Sequence, residues 1–112
     1  MKVFVVAGEK SGDLLGAKLI QGLRRADPDV QISGVGGEAM AREGLVSLFP
    51  IEDIAVMGIT SILSHLPRIF ARIDTTAQAI VAQKPDVLVI VDSPDFTHRV
   101  ARRVRRAAPD IP

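Results

Sequence analysis

The chain contains no cysteine, tryptophan or tyrosine, and only two histidines among 112 residues. Without cysteine there can be no disulfide framework and no thiolate metal site. His65 and His98 stand far apart with no carboxylate spacing around them, so a metal enzyme is not expected. No apolar run approaches the roughly 20 residues that cross a bilayer, and no charged-then-apolar leader precedes the first apolar segment; a soluble, cytoplasmic protein is expected. Two familiar phosphate-binding signatures are missing as well. The turn "AGEKSGD" (7–13) has neither the three-glycine spacing of a dinucleotide-binding loop nor the Gly-Lys-Ser/Thr ending of a P-loop. Charge of one sign is also scarce, with a net of +1, but it is unevenly spread: residues 1–56 carry six basic and eight acidic side chains (−2) and residues 57–112 eight and five (+3). The basic half favours an anionic partner.

What is present is aliphatic. Hydrophobic residues make up 47% of the chain and only four are phenylalanine, so the core must be built from Val, Ile, Leu and Ala, the composition of a parallel sheet covered on both faces. The length suits one modest core. "VFVVA" (3–7) reads as a buried strand ended by Gly8. A helix follows, capped by Ser11 or Asp13, with Leu14, Leu15, Leu19, Ile20 and Leu23 as its apolar positions and "DPD" as its stop. "VQISGVGG" (30–37) reads as a second strand, "EAMAREG" as a short helix closed by Gly44, and "LVSLF" (45–49) as a third strand stopped by Pro50. From Ile59 to about Gln83 the three/four apolar repeat predicts amphipathic helix. Pro67 inside it predicts a break near 64–67, because proline lacks the amide donor and collides with the preceding turn. "DVLVIV" (86–91) is the strongest strand pattern and is expected at the centre of the sheet. "FTHRVARRVRRAA" then predicts a helix with an apolar stripe and five arginines, and "APDIP" the start of a further strand. The absence of that strand's body predicts the front portion of a longer protein. Alternating strands and helices imply an α/β parallel sheet.

In such a sheet a ligand lies beyond the carboxyl ends of the strands, where three turns should converge: "GEKSGD", "GVGG" and "DSPDF". Asp92 ends the most apolar strand and faces that crevice, where it can take a proton or cap the next helix. Asp95 falls in the first turn of a helix with Ser93 as N-cap and Pro94 first, a structural placement that offsets the helix dipole. Gly8, Ser11 and Gly12 offer amides and a hydroxyl at a helix start; Glu9 beside them disfavours a phosphate and suits a sugar hydroxyl. The apolar stretch 59–70, flanked by His65, Arg68 and Arg72, fits either core packing or a membrane surface and acyl chains. An open sheet edge where a further strand belongs allows copies to pair.

Taken in order, "AGEKSGD", "GVGGEAM" (34–40), "IAVMG" (54–58) and "VDSPDF" (91–96) make the chain similar, over its whole length, to bacterial lipid-A-disaccharide synthases. Lys10 stands where a small residue is usual, Glu38 where proline is common and Thr97 where asparagine often follows the phenylalanine. The resemblance implies the Rossmann-like N-terminal, acceptor-side part (1–112) of an inverting GT-B glycosyltransferase whose nucleotide-sugar domain lies outside this chain. It implies transfer of a diacylglucosamine from UDP-diacylglucosamine to diacylglucosamine 1-phosphate, releasing UDP, with no cofactor, no metal and no nucleic acid. It also implies attachment to the cytoplasmic side of the inner membrane. Carried over residue by residue, the catalytic base falls on Asp92 and cleft contacts on Gly8, Glu9, Ser11 and Gly12; the apolarity of 59–70 itself, which suits such attachment, puts acyl or membrane contacts on Ile62, Leu63, Leu66 and Phe70. Two other classes share the architecture. A nicotinamide-binding domain needs an acidic residue at the end of the second strand, which "ISGVGG" lacks. A non-catalytic flavodoxin-like module of the receiver type needs paired acids after the first strand, where Glu9 stands alone.

Overall fold

The computed structural model describes the backbone of residues 1–54 and 59–112; the side chains of 59–66 and of Asp95 lie outside that description. In chain order the elements are β1 (Lys2–Val6), α1 (Lys10–Ala26), β2 (Gln31–Val35), α2 (Glu38–Arg42), a single 3-10 turn (Ile51–Asp53), α3 (Ile59–Gln83), β3 (Val87–Ile90) and α4 (Pro94–Ala107). The strands form one parallel sheet in the order β2-β1-β3. Side chains alternate across a strand, so β1 feeds two cores at once. Phe4 and Val6 pack with Ile73 and Ile80 of α3 and Val100 of α4 on one face, while Val3 and Val5 pack with Ile20 of α1 and Met40 of α2 on the other. The result is the expected α/β Rossmann-like layering, helices on both faces of a parallel sheet, here as a partial fold.

Four sequence-based expectations are corrected. β1, not β3, is the central strand: Phe4, Val5 and Val6 are fully buried whereas Val87–Ile90 are half-buried. An unbroken apolar run reports a strand covered on both faces, not its rank across the sheet. "LVSLF" is no strand. Leu45 and Phe49 are buried, Val46 is 89% exposed, and the segment straps the end of β2 through Leu48 N to Gly34 O (3.0 Å) and Gly36 N to Ser47 Oγ (3.1 Å). Its hydrogen bonds are therefore single contacts instead of a ladder.

The break at 64–67 is absent, because α3 runs continuously through Pro67. Proline costs about 3 kcal/mol inside a helix, and α3 carries that cost at Pro67 while its following turns bury Ile73, Ala77 and Ile80. Lastly, neither Ser11 nor Asp13 caps α1. The N-cap is Glu9, without a side-chain cap bond, and Leu14 and Leu15 are exposed while Gly12, Asp13, Gly16, Ala17 and Ile20 form the buried face. Small residues bring α1 close to the sheet, and the leucines one step round the helix are left outside. At the other end, the Leu88 amide donates to the Pro112 carbonyl on the outer edge of β3 (2.9 Å), where "APDIP" was read as the start of a strand.

Candidate functional site

At the carboxyl ends of β1 and β3 the chain reverses twice, and the two turns meet. Gly8 N donates to Asp92 Oδ1 at 2.6 Å. The other carboxylate oxygen, Oδ2, is buried and has no hydrogen-bond partner among the described residues. The glycines are explained by this contact. A Cβ at Gly12 would overlap Oδ2 of Asp92, and one at Gly8 would overlap Oγ of Ser93. Gly8 and Gly12 therefore make room for the Asp92–Ser93 turn before they serve any ligand. Gly12 also lies in the first turn of α1, so the Asp92 charge sits at the positive end of a 17-residue helix.

Ser93 is held in the left-handed region (φ 49°, ψ 61°), a conformation that costs a non-glycine residue of order 1–2 kcal/mol. It occupies the N-cap position of α4, as expected, with Pro94 first in the helix, but its side chain makes no cap bond. Its carbonyl instead accepts from the Phe96 and Thr97 amides (both 2.9 Å) and from the Thr97 hydroxyl (3.2 Å). Thr97 is 1% exposed, so its hydroxyl serves this turn and not the crevice.

The third turn, "GVGG", joins the rim by a route that sequence reasoning missed. Asp13, 7% exposed in the first turn of α1, accepts from Gly37 N (2.8 Å) and Met40 N (3.0 Å) on Oδ1 and from Ala39 N (2.9 Å) on Oδ2. A residue of one helix thus caps another. The signal was available, since α2 begins after Gly37 with no side chain to satisfy its first amides, and free amides at a helix start require an acceptor from elsewhere.

Beside this joint lies a recess of about 320 Å³ between α1 and α2, with Lys10, Leu14, Glu38, Arg42, Ile51 and Glu52 among its lining residues; Asp92 is not one of them. Asp92 and the recess lie on opposite sides of the first turn of α1. Glu9 and Ser11 are exposed on that same turn. Of the residues expected from the sequence to meet acyl chains or a membrane, Ile62, Leu63 and Leu66 lie outside the described side chains. Phe70 is 42% exposed on α3, with the Arg99 guanidinium of α4 at 6.0 Å from its ring centre. Asp95, read as a helix-dipole residue, also lies outside the described side chains. Among the described residues no three metal-ligating side chains cluster, and no helix is long and apolar enough to cross a membrane.

Residues 3–112 match the family model for lipid-A-disaccharide synthetase. The chain is 57% identical over 112 residues to the lipid-A-disaccharide synthase of Nitrobacter hamburgensis, 56% over 111 residues to that of Rhodopseudomonas palustris strain HaA2, and 51% over 108 residues to that of Ruegeria pomeroyi. These alignments cover 99%, 98% and 96% of this chain but 28%, 28% and 27% of the relatives, so the chain spans little more than a quarter of their length.

Proposed function

Because the chain belongs to the lipid-A-disaccharide synthetase family, we propose that residues 1–112 form the acceptor-side part of an inverting GT-B glycosyltransferase. The nucleotide-sugar domain lies in the remainder of the whole protein. The reaction is transfer of a diacylglucosamine from UDP-diacylglucosamine to the 6-hydroxyl of diacylglucosamine 1-phosphate. The acceptor oxygen forms a bond to the anomeric carbon as the bond from that carbon to UDP breaks, and the hydroxyl proton passes to Asp92. Glu9 and Ser11, exposed on the turn after β1, orient sugar hydroxyls, and the buried Gly8 and Gly12 shape the turn that carries them.

The observation that carries this reading is the Asp92 carboxylate. One oxygen is anchored on the Gly8 amide, which fixes the group at the strand-end rim, and the other retains unused lone pairs. The anchored geometry explains positioning; Oδ2 is buried against the first turn of α1, so it meets a substrate hydroxyl only once the side chain turns out of that contact. Asp92→Asn in the full-length protein keeps the shape and removes the proton acceptor, so kcat falls by about 10²-fold or more. Turnover equal to wild type overturns the assignment. Residues 1–112 alone turn over no substrate.

The acyl chains and the inner-membrane surface are met by the stretch 59–70 on the cytoplasmic side. Exposed Phe70, with the Arg99 guanidinium 6.0 Å from its ring centre, suits a boundary between apolar chains and anionic head groups. Polar replacement of Ile62, Leu63, Leu66 and Phe70 reduces sedimentation with anionic liposomes while far-ultraviolet dichroism is unchanged; unaltered sedimentation assigns these residues to packing. For residues 1–112 alone, the outer edge of β3 beyond the Leu88–Pro112 bond is the edge through which two copies pair, and a monomer by light scattering overturns that.

A further inference from the structure

The first turn of α1 is closed by the Asp13 amide on the Glu9 carbonyl (2.9 Å) but has no side-chain cap. Its N-cap residue Glu9 makes no side-chain cap bond, although this turn forms the wall that faces Asp92 Oδ2 through Gly12. Its placement against the sheet and α2 depends on contacts from elsewhere in the chain. Successive helix residues project about 100° apart, so Gly12 can face the β3 turn while its neighbour Asp13 faces α2. Asp13 is the most buried acidic side chain described, and burying a carboxylate is costly unless its lone pairs are filled. Here they are filled by three amides contributed by residues 24 to 27 positions further along the chain. A cap for a five-residue helix needs only a serine or asparagine at Gly37; a buried charge reaching in from another helix makes a joint between elements.

We propose that Asp13 is a positioning residue for Asp92: by clasping the start of α2 it fixes the first turn of α1, and with it the surface against which the Asp92 carboxylate is set. The inference rests on the reading of Asp92 given above for its kinetic consequence, but not for its structural one. Gly37 belongs to the same device, since a Cβ there would stand 2.7 Å from Asp13 Oδ2 and press on the clasp from outside.

Two variants of the full-length protein test it. Asp13→Asn keeps the shape but turns an NH₂ group towards an amide that now has no acceptor; Gly37→Ala displaces the carboxylate sterically. In both, hydrogen exchange at the Gly8 amide, the donor to Asp92, accelerates about tenfold or more while the Val5 and Val6 amides of β1 keep their protection. In the same variants kcat falls about 10–100-fold, with KM for both substrates within about threefold of wild type. Unchanged Gly8 exchange in a folded variant overturns the inference. A lowered melting temperature with wild-type kcat per folded molecule does so too, leaving Asp13 as a cap for α2 alone. If Asp13→Asn does not fold, Gly37→Ala supplies the same exchange readout. A wild-type protein without glycosyl transfer overturns the functional reading, and the Gly8 exchange still decides this one.

Discussion

Gly8 and Asp92 lie 84 residues apart in sequence and share a 2.6 Å hydrogen bond, amide to carboxylate, across the ends of β1 and β3. The bond joins the first βα turn to the last, and it explains why both turns have the residues they do. The glycines at 8 and 12 are spaces shaped by Ser93 and Asp92, and Ser93 bends into a left-handed conformation to bring the carboxylate there.

Gly12→Ala tests that packing directly. Alanine gains up to about 1 kcal/mol of helix propensity over glycine. The new methyl collides with Asp92 Oδ2, and displacing the carboxylate sacrifices a charge-assisted hydrogen bond of about 1.5–3 kcal/mol as well as the overpacking cost of about 1–3 kcal/mol. The loss exceeds the gain. Urea unfolding should show net destabilisation of about 2–4 kcal/mol, and an unchanged midpoint would mean that the carboxylate moves aside freely.

Gly34→Ala should be the most damaging glycine substitution. Gly34 has φ +151°, and a Cβ there would overlap the Val5 carbonyl in the central strand. Backbone strain and a broken β1–β2 ladder together cost about 3 kcal/mol or more. Soluble yield and the dichroism spectrum report it; a folded variant with wild-type melting would contradict the register of β1 and β2.

Arg72→Lys separates charge from shape. The Arg72 guanidinium places Nε and Nη2 at 2.9 and 2.7 Å from Asp53 Oδ2 and lies 4.9 Å from the centre of the Phe49 ring, tying α3 to the 3-10 turn. Lysine keeps the charge but loses the planar stacking and the second donor. Both side chains retain some solvent contact, so a moderate destabilisation of about 1 kcal/mol is expected in chemical denaturation. A larger effect on adding salt to wild type than on substitution would mean that charge alone matters.

Thr76→Val should be nearly silent. Thr76 is fully buried, and its hydroxyl donates to the Arg72 carbonyl one turn earlier (2.7 Å), an acceptor already used by the helix. Valine has the same shape and removes a donor without leaving a partner empty, so stability should change by less than about 1 kcal/mol. Thr76→Ala, which opens a cavity, should cost more. The order of the two midpoints in one urea series checks the argument.

Which features were legible from the residues follows from the range of the forces involved. Local periodicity and turn chemistry determined β1, α1, β2, α2, β3 and α4, because side-chain spacing of two or 3.6 and the backbone preferences of glycine and proline act within a few residues. The same local signals placed Gly8, Glu9, Ser11, Gly12 and Asp92 at strand ends, and four ordered motifs marked the family. Local rules failed where a distant partner set the balance. Pro67 predicts a break by the local rule, yet α3 runs through it. "LVSLF" is a short apolar run between Gly44 and Pro50 and so resembles a strand, but Gly34 and Gly36 offer it only isolated bonds.

The sequence by itself determined an α/β chain with a glycine-rich rim and an acid at the end of its last strand. Only the tertiary structure decided that β1 is the central strand, that Asp13 fastens α2 instead of starting α1, and that Gly8 and Gly12 yield their space to Asp92. The physical reason is that hydrogen bonds and excluded volume between residues tens of positions apart leave no periodic trace in the chain; they exist once the strands have paired.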